Sequence, residues 1–183
     1  MLNERFIQLG EVALNVVDGP PSGTPLLLIH GGGNRWQEFL PIIPGLAMRW
    51  HIYALDLRGH GKSGWVAGQY RPEHYAADVL ALIEALALDR VILFGHSLGG
   101  WIALEAAARL GKKVHALILG DPPLNIERFV VDESREARID MWRGLRDLVS
   151  MELNVDELAS ALAEIPVSVS EAGVRFDTVI SRV

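Results

Sequence analysis

The heptapeptide Phe94-Gly95-His96-Ser97-Leu98-Gly99-Gly100 lies between an apolar run and an alanine-rich stretch. Gly95-x-Ser97-x-Gly99 is the pattern of a serine carried on a sharp strand-to-helix turn. Such a turn lifts the hydroxyl clear of a sheet. The residues two before and two after it must be small, because the turn brings backbones close together. A helix that follows adds the positive end of its dipole beneath the oxygen. The chemistry this permits is nucleophilic attack by the Ser97 hydroxyl on an acyl carbon. A second candidate, His30-Gly31-Gly32-Gly33, ends the apolar run Pro25 to Ile29. Acyl transfer needs backbone N–H donors aimed at the developing oxyanion, and glycines let a substrate approach them. One donor is expected from Gly32 or Gly33 and the other from Leu98, the residue after the nucleophile.

A third segment, Asp56-Leu57-Arg58-Gly59-His60-Gly61-Lys62-Ser63, is a polar, glycine-rich turn after a strand. It lacks the longer spacing of a phosphate-binding P-loop. The better reading is a structural loop stitched by its aspartate and arginine.

These residues need elements to hold them. Residues 4–17 read as two short strands with a turn at Gly10-Glu11, since Val12, Leu14 and Val16 alternate with Ala13 and Asn15. Continuous apolar runs at Pro25 to Ile29, His51 to Leu55, Val91 to Phe94 and Val114 to Leu119 suit strands buried on both faces of a parallel sheet. Trp36 to Met48 reads as helix around Pro41 and Pro44. Residues 72–88 read as an amphipathic helix with Ala76, Val79, Leu80, Ile83, Leu86 and Ala87 on one face, and Pro72 suits its first turn. Residues 98–110 read as a helix ending at Gly111. Strand and helix alternating in this way imply parallel βαβ units, an α/β fold with a mostly parallel sheet and flanking helices.

After Pro123 the texture changes. Ile139, Trp142, Leu145 and Val149 fall at helical spacing, Asn154 with Glu157 resembles a capping box, and Pro166 ends that helix. Residues 170–182 suit one more helix. The expected organisation is a core over residues 1–123 and a helical cap segment over 124–183.

Half of the 183 residues are hydrophobic, enough for one domain with a substantial core. A net charge of −6 without a basic run argues against nucleic acid or anionic membrane as the main partner. The absence of cysteine excludes disulfides, thiolate metal sites and a cysteine nucleophile. No apolar run reaches the ~18 residues of a membrane span, and the first residues do not read as a secretory signal. A cytoplasmic protein without metal or cofactor is the expectation.

Taken in order and spacing, His30-Gly31-Gly32-Gly33, Asp56 through Gly64, and Gly95-His96-Ser97-Leu98-Gly99-Gly100 resemble the α/β-hydrolase superfamily, in particular its small cofactor-free serine esterases. The match covers residues 1–123; residues 124–183 resemble the start of the family's cap. The resemblance implies Ser97 as nucleophile. It argues against the epoxide hydrolase and haloalkane dehalogenase branches, which carry aspartate there.

The family's order places an acid and then a histidine after the serine. Of His30, His51, His60, His74, His96 and His115, only His115 follows Ser97. It starts a strand whose neighbour ends at the nucleophile. A strand of about five residues spans ~17 Å, so His115 is expected at the opposite edge of the sheet. His96 is expected to point away from Ser97, and His30 to brace the oxyanion loop. For the acid, Asp121 at a strand end is the best-placed candidate, since ligands bind at strand ends of open parallel sheets. In most of the family the acid comes one strand later, and Asp121 before Pro122-Pro123 also suits a loop cap. The simplest explanation for the missing base is truncation, with two further strands absent. That predicts an open sheet edge, covered by a further segment or a second copy of the chain.

The function implied is hydrolysis of small carboxylic esters or related acyl substrates through an acyl-enzyme at Ser97. Trp36, Trp101 and, in the cap, Met141 and Trp142 are candidates for an apolar acyl pocket, although aromatics at helical spacing are more often plain core. The alternative is a non-catalytic module of the same fold that binds a small apolar ligand or a protein.

Overall fold

The computed structural model describes residues 2–122, together with Arg143, Met151, Glu157 and Ser160. The chain divides into two compact units, Met1–Leu124 and Asn125–Val183. In the second, Arg143, Glu157 and Ser160 are helical. The periodicity around Trp142, the Asn154 cap and the helix over 170–182 lie outside the described residues. Among the described residues no helix is long and apolar enough to cross a membrane.

The first unit is built on six strands: β1 (Asn3–Leu9), β2 (Val12–Asp18), β3 (Pro25–Ile29), β4 (His51–Leu55), β5 (Val91–His96) and β6 (Val114–Gly120). They form one sheet in the order β1-β2-β4-β3-β5-β6. The β1–β2 hairpin is antiparallel and joins β4 antiparallel, while β4, β3, β5 and β6 run parallel. The hairpin turns at Gly10, whose φ of +58° a side chain would resist.

The apolar runs supply both faces at once. On β3, Leu27 and Ile29 join a core with Leu14, Leu55 and Leu93. Their neighbours Leu26 and Leu28 join a second core with Ile52, Ala54 and Ile92 on the other face. Helix α2 (Pro72–Ala85) contributes Val79, Leu82 and Ile83 to the first core, and helix α3 (Leu98–Leu110) contributes Ile102, Ala103 and Ala106. Trp36, Phe39 and Ile43 close the second.

That last segment differs from the single helix its sequence suggests. It forms a 3₁₀ turn over Trp36–Phe39 and a one-turn helix, α1 (Ile43–Leu46). Pro41 and Pro44 each remove an N–H donor, so a continuous ladder of i→i−4 bonds cannot run through.

Strand β6 is unlike its neighbours. Among the described residues it pairs only with β5. Leu117 and Leu119 pack on the first core, but Ala116 is exposed and Ile118 is 45% exposed. An apolar edge strand with one open side and one uncovered face is a template for further pairing.

Candidate active site

The elbow is where local strain and close packing meet. Ser97 follows β5 with φ 48° and ψ −115°, a conformation that non-glycine residues rarely adopt, and caps α3. Its N–H donates to the Gly120 carbonyl at 2.8 Å, tying the turn to the end of β6, and its carbonyl accepts the Gly100 N–H at 2.9 Å. The flanking glycines are required by space. A Cβ on Gly95 would lie 2.6 Å from the Gly100 Cα, and one on Gly99 would lie 2.6 Å from the His30 carbonyl oxygen. Ser97 is the N-cap of the thirteen-residue α3, so the positive end of that helix lies at the elbow.

Register brings the glycine loop to this point. Ile29 pairs with Gly95, so the chain leaving β3 passes beside the elbow. A Cβ on Gly31 would stand 3.4 Å from the Ser97 Cβ, and one on Gly32 would stand 3.6 Å from the Leu98 side chain. The structure thus brings Gly32, Leu98 and Ser97 together. A Cβ on Gly33, which has φ +75°, would meet nothing within 4 Å.

The loop after β4 fixes this glycine loop from behind. The Asp56 carboxylate is buried and accepts the Trp36 N–H at 2.8 Å, the Lys62 N–H at 2.9 Å and the Asn15 side-chain amide at 2.9 Å. Arg58 is buried against Asp78 of α2 through two N–H···O bonds of 2.6 Å, which hold its guanidinium charge more firmly than usual. The segment is the stitched loop that its composition suggests. Asp56→Ala would leave the buried Trp36 N–H and one hydrogen of the Asn15 amide without an acceptor, and the Lys62 N–H to water. The expected cost is about 3 kcal/mol or more, read as a fall in urea midpoint.

Glu4 extends this network. It accepts from Lys62 Nζ at 2.7 Å, the Asn15 amide at 2.8 Å and the Trp36 indole N–H at 3.0 Å. The Lys62 bond, followed by the Asn15 bond, lowers its pKa from 4.5 to about 2. A carboxyl depressed by folding stabilises the fold above its unfolded value, and that contribution is lost as pH falls from 4.5 towards 2. Burial lowers the pKa of His30 from 6.5, so below pH 6.5 the unfolded chain takes up a proton that the folded chain resists. Both effects weaken the protein in acid. Urea midpoints are expected to fall between pH 7 and 5, and again between 4.5 and 3. Glu4→Gln should flatten only the second step.

The histidines sort by position. His30 Nε2 accepts the Leu57 N–H at 3.0 Å, so its proton is on Nδ1, which donates to the Gly31 carbonyl at 2.7 Å. Both nitrogens are committed, and the ring braces the loop. His51 pairs with Asp18, His74 accepts the Arg71 N–H at the start of α2, and His115 contacts Arg90 at the opposite end of β5 and β6 from Ser97. His60 Nδ1 bonds the Arg58 carbonyl, and its ring packs against His30. His96 turns to Glu38, with Nδ1 2.6 Å from Oε1. Among the described residues no side chain hydrogen-bonds the Ser97 hydroxyl.

Asp121 follows Gly120, which pairs with His96, so it stands at the same sheet end as Ser97. It is exposed, with φ 49°. Trp36 is 9% exposed within the second core, its indole held by Glu4. Trp101 is half-buried on α3, and Trp142 lies outside the described residues. Sequence reasoning missed Glu38, which no motif marks.

Comparison with known proteins follows this geometry. The model of the alpha/beta hydrolase fold matches residues 24–147. The chain is 35% identical over 136 residues to the 2-(acetamidomethylene)succinate hydrolase of Mesorhizobium japonicum, covering 74% of this chain and 48% of that protein. It is 30% identical over 146 residues to a serine hydrolase-like protein of Danio rerio, covering 76% and 42%. Among solved structures, an N-formylmaleamic acid deformylase from Pseudomonas putida S16 superposes with a TM-score of 0.64 at 26% identity, over 78% of this chain and 57% of that one. The chain spans about half the length of the curated relatives it matches. With the strand order, the glycine-flanked serine and the glycine loop in register beside it, the chain belongs to the alpha/beta hydrolase fold family.

Proposed function

We propose that this chain carries the nucleophile and oxyanion site of a serine hydrolase acting on carboxylic esters or related acyl substrates. The single observation that carries the reading is the juxtaposition of Gly32 and Leu98 at a strained Ser97. Ser97 Oγ attacks the acyl carbon and passes its proton to a base. The amides of Gly32 and Leu98 hold the oxyanion. Collapse expels the alcohol, which takes the proton back, and leaves an acyl-enzyme. Water then attacks through the same base to release the acid and free Ser97. The Mesorhizobium relative is named as a hydrolase and the Danio relative as serine hydrolase-like, in keeping with this chemistry.

The base is the part that the described histidines do not fill. The reading assigns it to a histidine outside these 183 residues, carried by chain that also covers the open edge of β6, with Asp121 as a candidate acid. It follows that p-nitrophenyl butyrate should acylate Ser97 in the protein supplied with its base, seen by intact mass after rapid acid quench, and should react far more slowly with these 183 residues alone. No adduct in the protein supplied with its base, or an adduct that survives Ser97→Ala, would overturn the reading in favour of a binding module.

A further inference from the structure

Two loops that meet at the site come from distant parts of the sequence, and one carboxylate touches both. Glu38 lies on the 3₁₀ turn after the glycine loop, with its side chain 17% exposed. Its Oε2 accepts the Gly31 N–H at 3.3 Å. Its Oε1 lies 2.6 Å from Nδ1 of His96, the residue before the nucleophile. That approach is close without being aligned as a hydrogen bond. Gly31 fits between the two because it has no side chain: a Cβ there would stand 3.0 Å from His96 Nδ1 and 3.4 Å from the Ser97 Cβ.

We infer that Glu38 is a positioning residue. It sets the gap between Ser97 and the oxyanion amide of Gly32, holding the glycine loop through Gly31 and the elbow through His96. It touches neither substrate nor the reacting atoms. The inference rests on Ser97 acting as the nucleophile. An oxyanion site depends on donors fixed at about hydrogen-bond distance from where charge develops, and a misplacement of about 1 Å costs on the order of 10²-fold in rate. Asp56 fixes the back of the same loop through Trp36, which leaves the front to Glu38.

The test compares wild type, Glu38→Ala and Glu38→Gln, each in the protein supplied with its base, in two measurements. The first is labelling of Ser97 by a fluorophosphonate, resolved into the maximal rate and the concentration at half-maximal rate. Glu38→Ala should lower the maximal rate about 10- to 100-fold with the half-saturating concentration unchanged. Glu38→Gln, which keeps an acceptor for the Gly31 N–H, should recover most of the loss. An unchanged rate in Glu38→Ala, or no recovery in Glu38→Gln, overturns the inference. The second is amide hydrogen exchange, which needs no reactivity. Glu38→Ala should speed exchange in residues 31–35 and in residues 96–98 together, with β2 and β4 unaffected. Faster exchange in the first segment alone refutes the coupling. Wild type that fails to label at Ser97 refutes the proposed nucleophile, and the exchange result still decides the coupling.

Discussion

Ser97→Ala removes the acyl adduct and, in the protein supplied with its base, lowers ester hydrolysis by about 10⁴-fold or more. No other described hydroxyl shares the elbow, so nothing replaces the lost oxygen. The companion substitution Ser97→Gly separates chemistry from stability. Ser97 sits at φ 48°, ψ −115°, and such strain costs on the order of 1–3 kcal/mol. Glycine relieves it, less about 0.5–1 kcal/mol for its greater unfolded-state freedom. Ser97→Gly is therefore expected to be inactive and about 1 kcal/mol more stable than Ser97→Ala, measured by urea unfolding. A less stable glycine variant would show that the elbow is relaxed, and that its geometry is not a cost borne for function.

Gly99→Ala is expected to lose about 3 kcal/mol or more, or to fail to fold. The added Cβ would lie 2.6 Å from the His30 carbonyl oxygen, and the Ile29 carbonyl is closer still. Both are backbone atoms at the end of the central strand, which cannot swing aside as a flexible side chain can. The nucleophile turn and β3 would have to part, and the Gly32–Leu98 pairing would part with them. Two other glycines act as controls. Gly45 meets nothing within 4 Å and has no positive φ, so Gly45→Ala should change stability little. Gly33 also meets nothing but sits at φ +75°, so Gly33→Ala should cost only about 1–2 kcal/mol. Urea midpoints that fall equally for Gly99→Ala and Gly45→Ala would contradict the packing argument.

The parts of the fold that were legible in the sequence are those under the strictest local constraint. Parallel strands buried on both faces must be apolar throughout, so β3, β4 and β5 announce themselves as runs. The elbow is legible because only glycine fits at 95 and 99. The segment after the glycine loop departs from the single helix its spacing suggests. Its apolar residues Trp36, Phe39 and Ile43 recur at helical spacing, but what they serve is a lid on the second core, broken by Pro41. Asp78 shows another limit. On a helix a carboxylate reads as surface, yet here it is buried because Arg58, twenty residues earlier, supplies its counter-charge. Glu38 and His96 were invisible as a pair for the same reason. Each looks ordinary alone, and only the β3–β5 register brings them together. The glycine run at the end of β3 is legible in the sequence, whereas the φ of +75° at Gly33 and the approach of Gly32 to the Leu98 side chain are seen only in the structure.

The most direct test of Ser97 as the nucleophile is site mapping after fluorophosphonate treatment of the folded protein supplied with its base. Peptide mass spectrometry should find one adduct per chain, on Ser97, absent from Ser97→Ala and from urea-unfolded protein. An adduct on another residue, or equal labelling of folded and unfolded chain, would contradict the account.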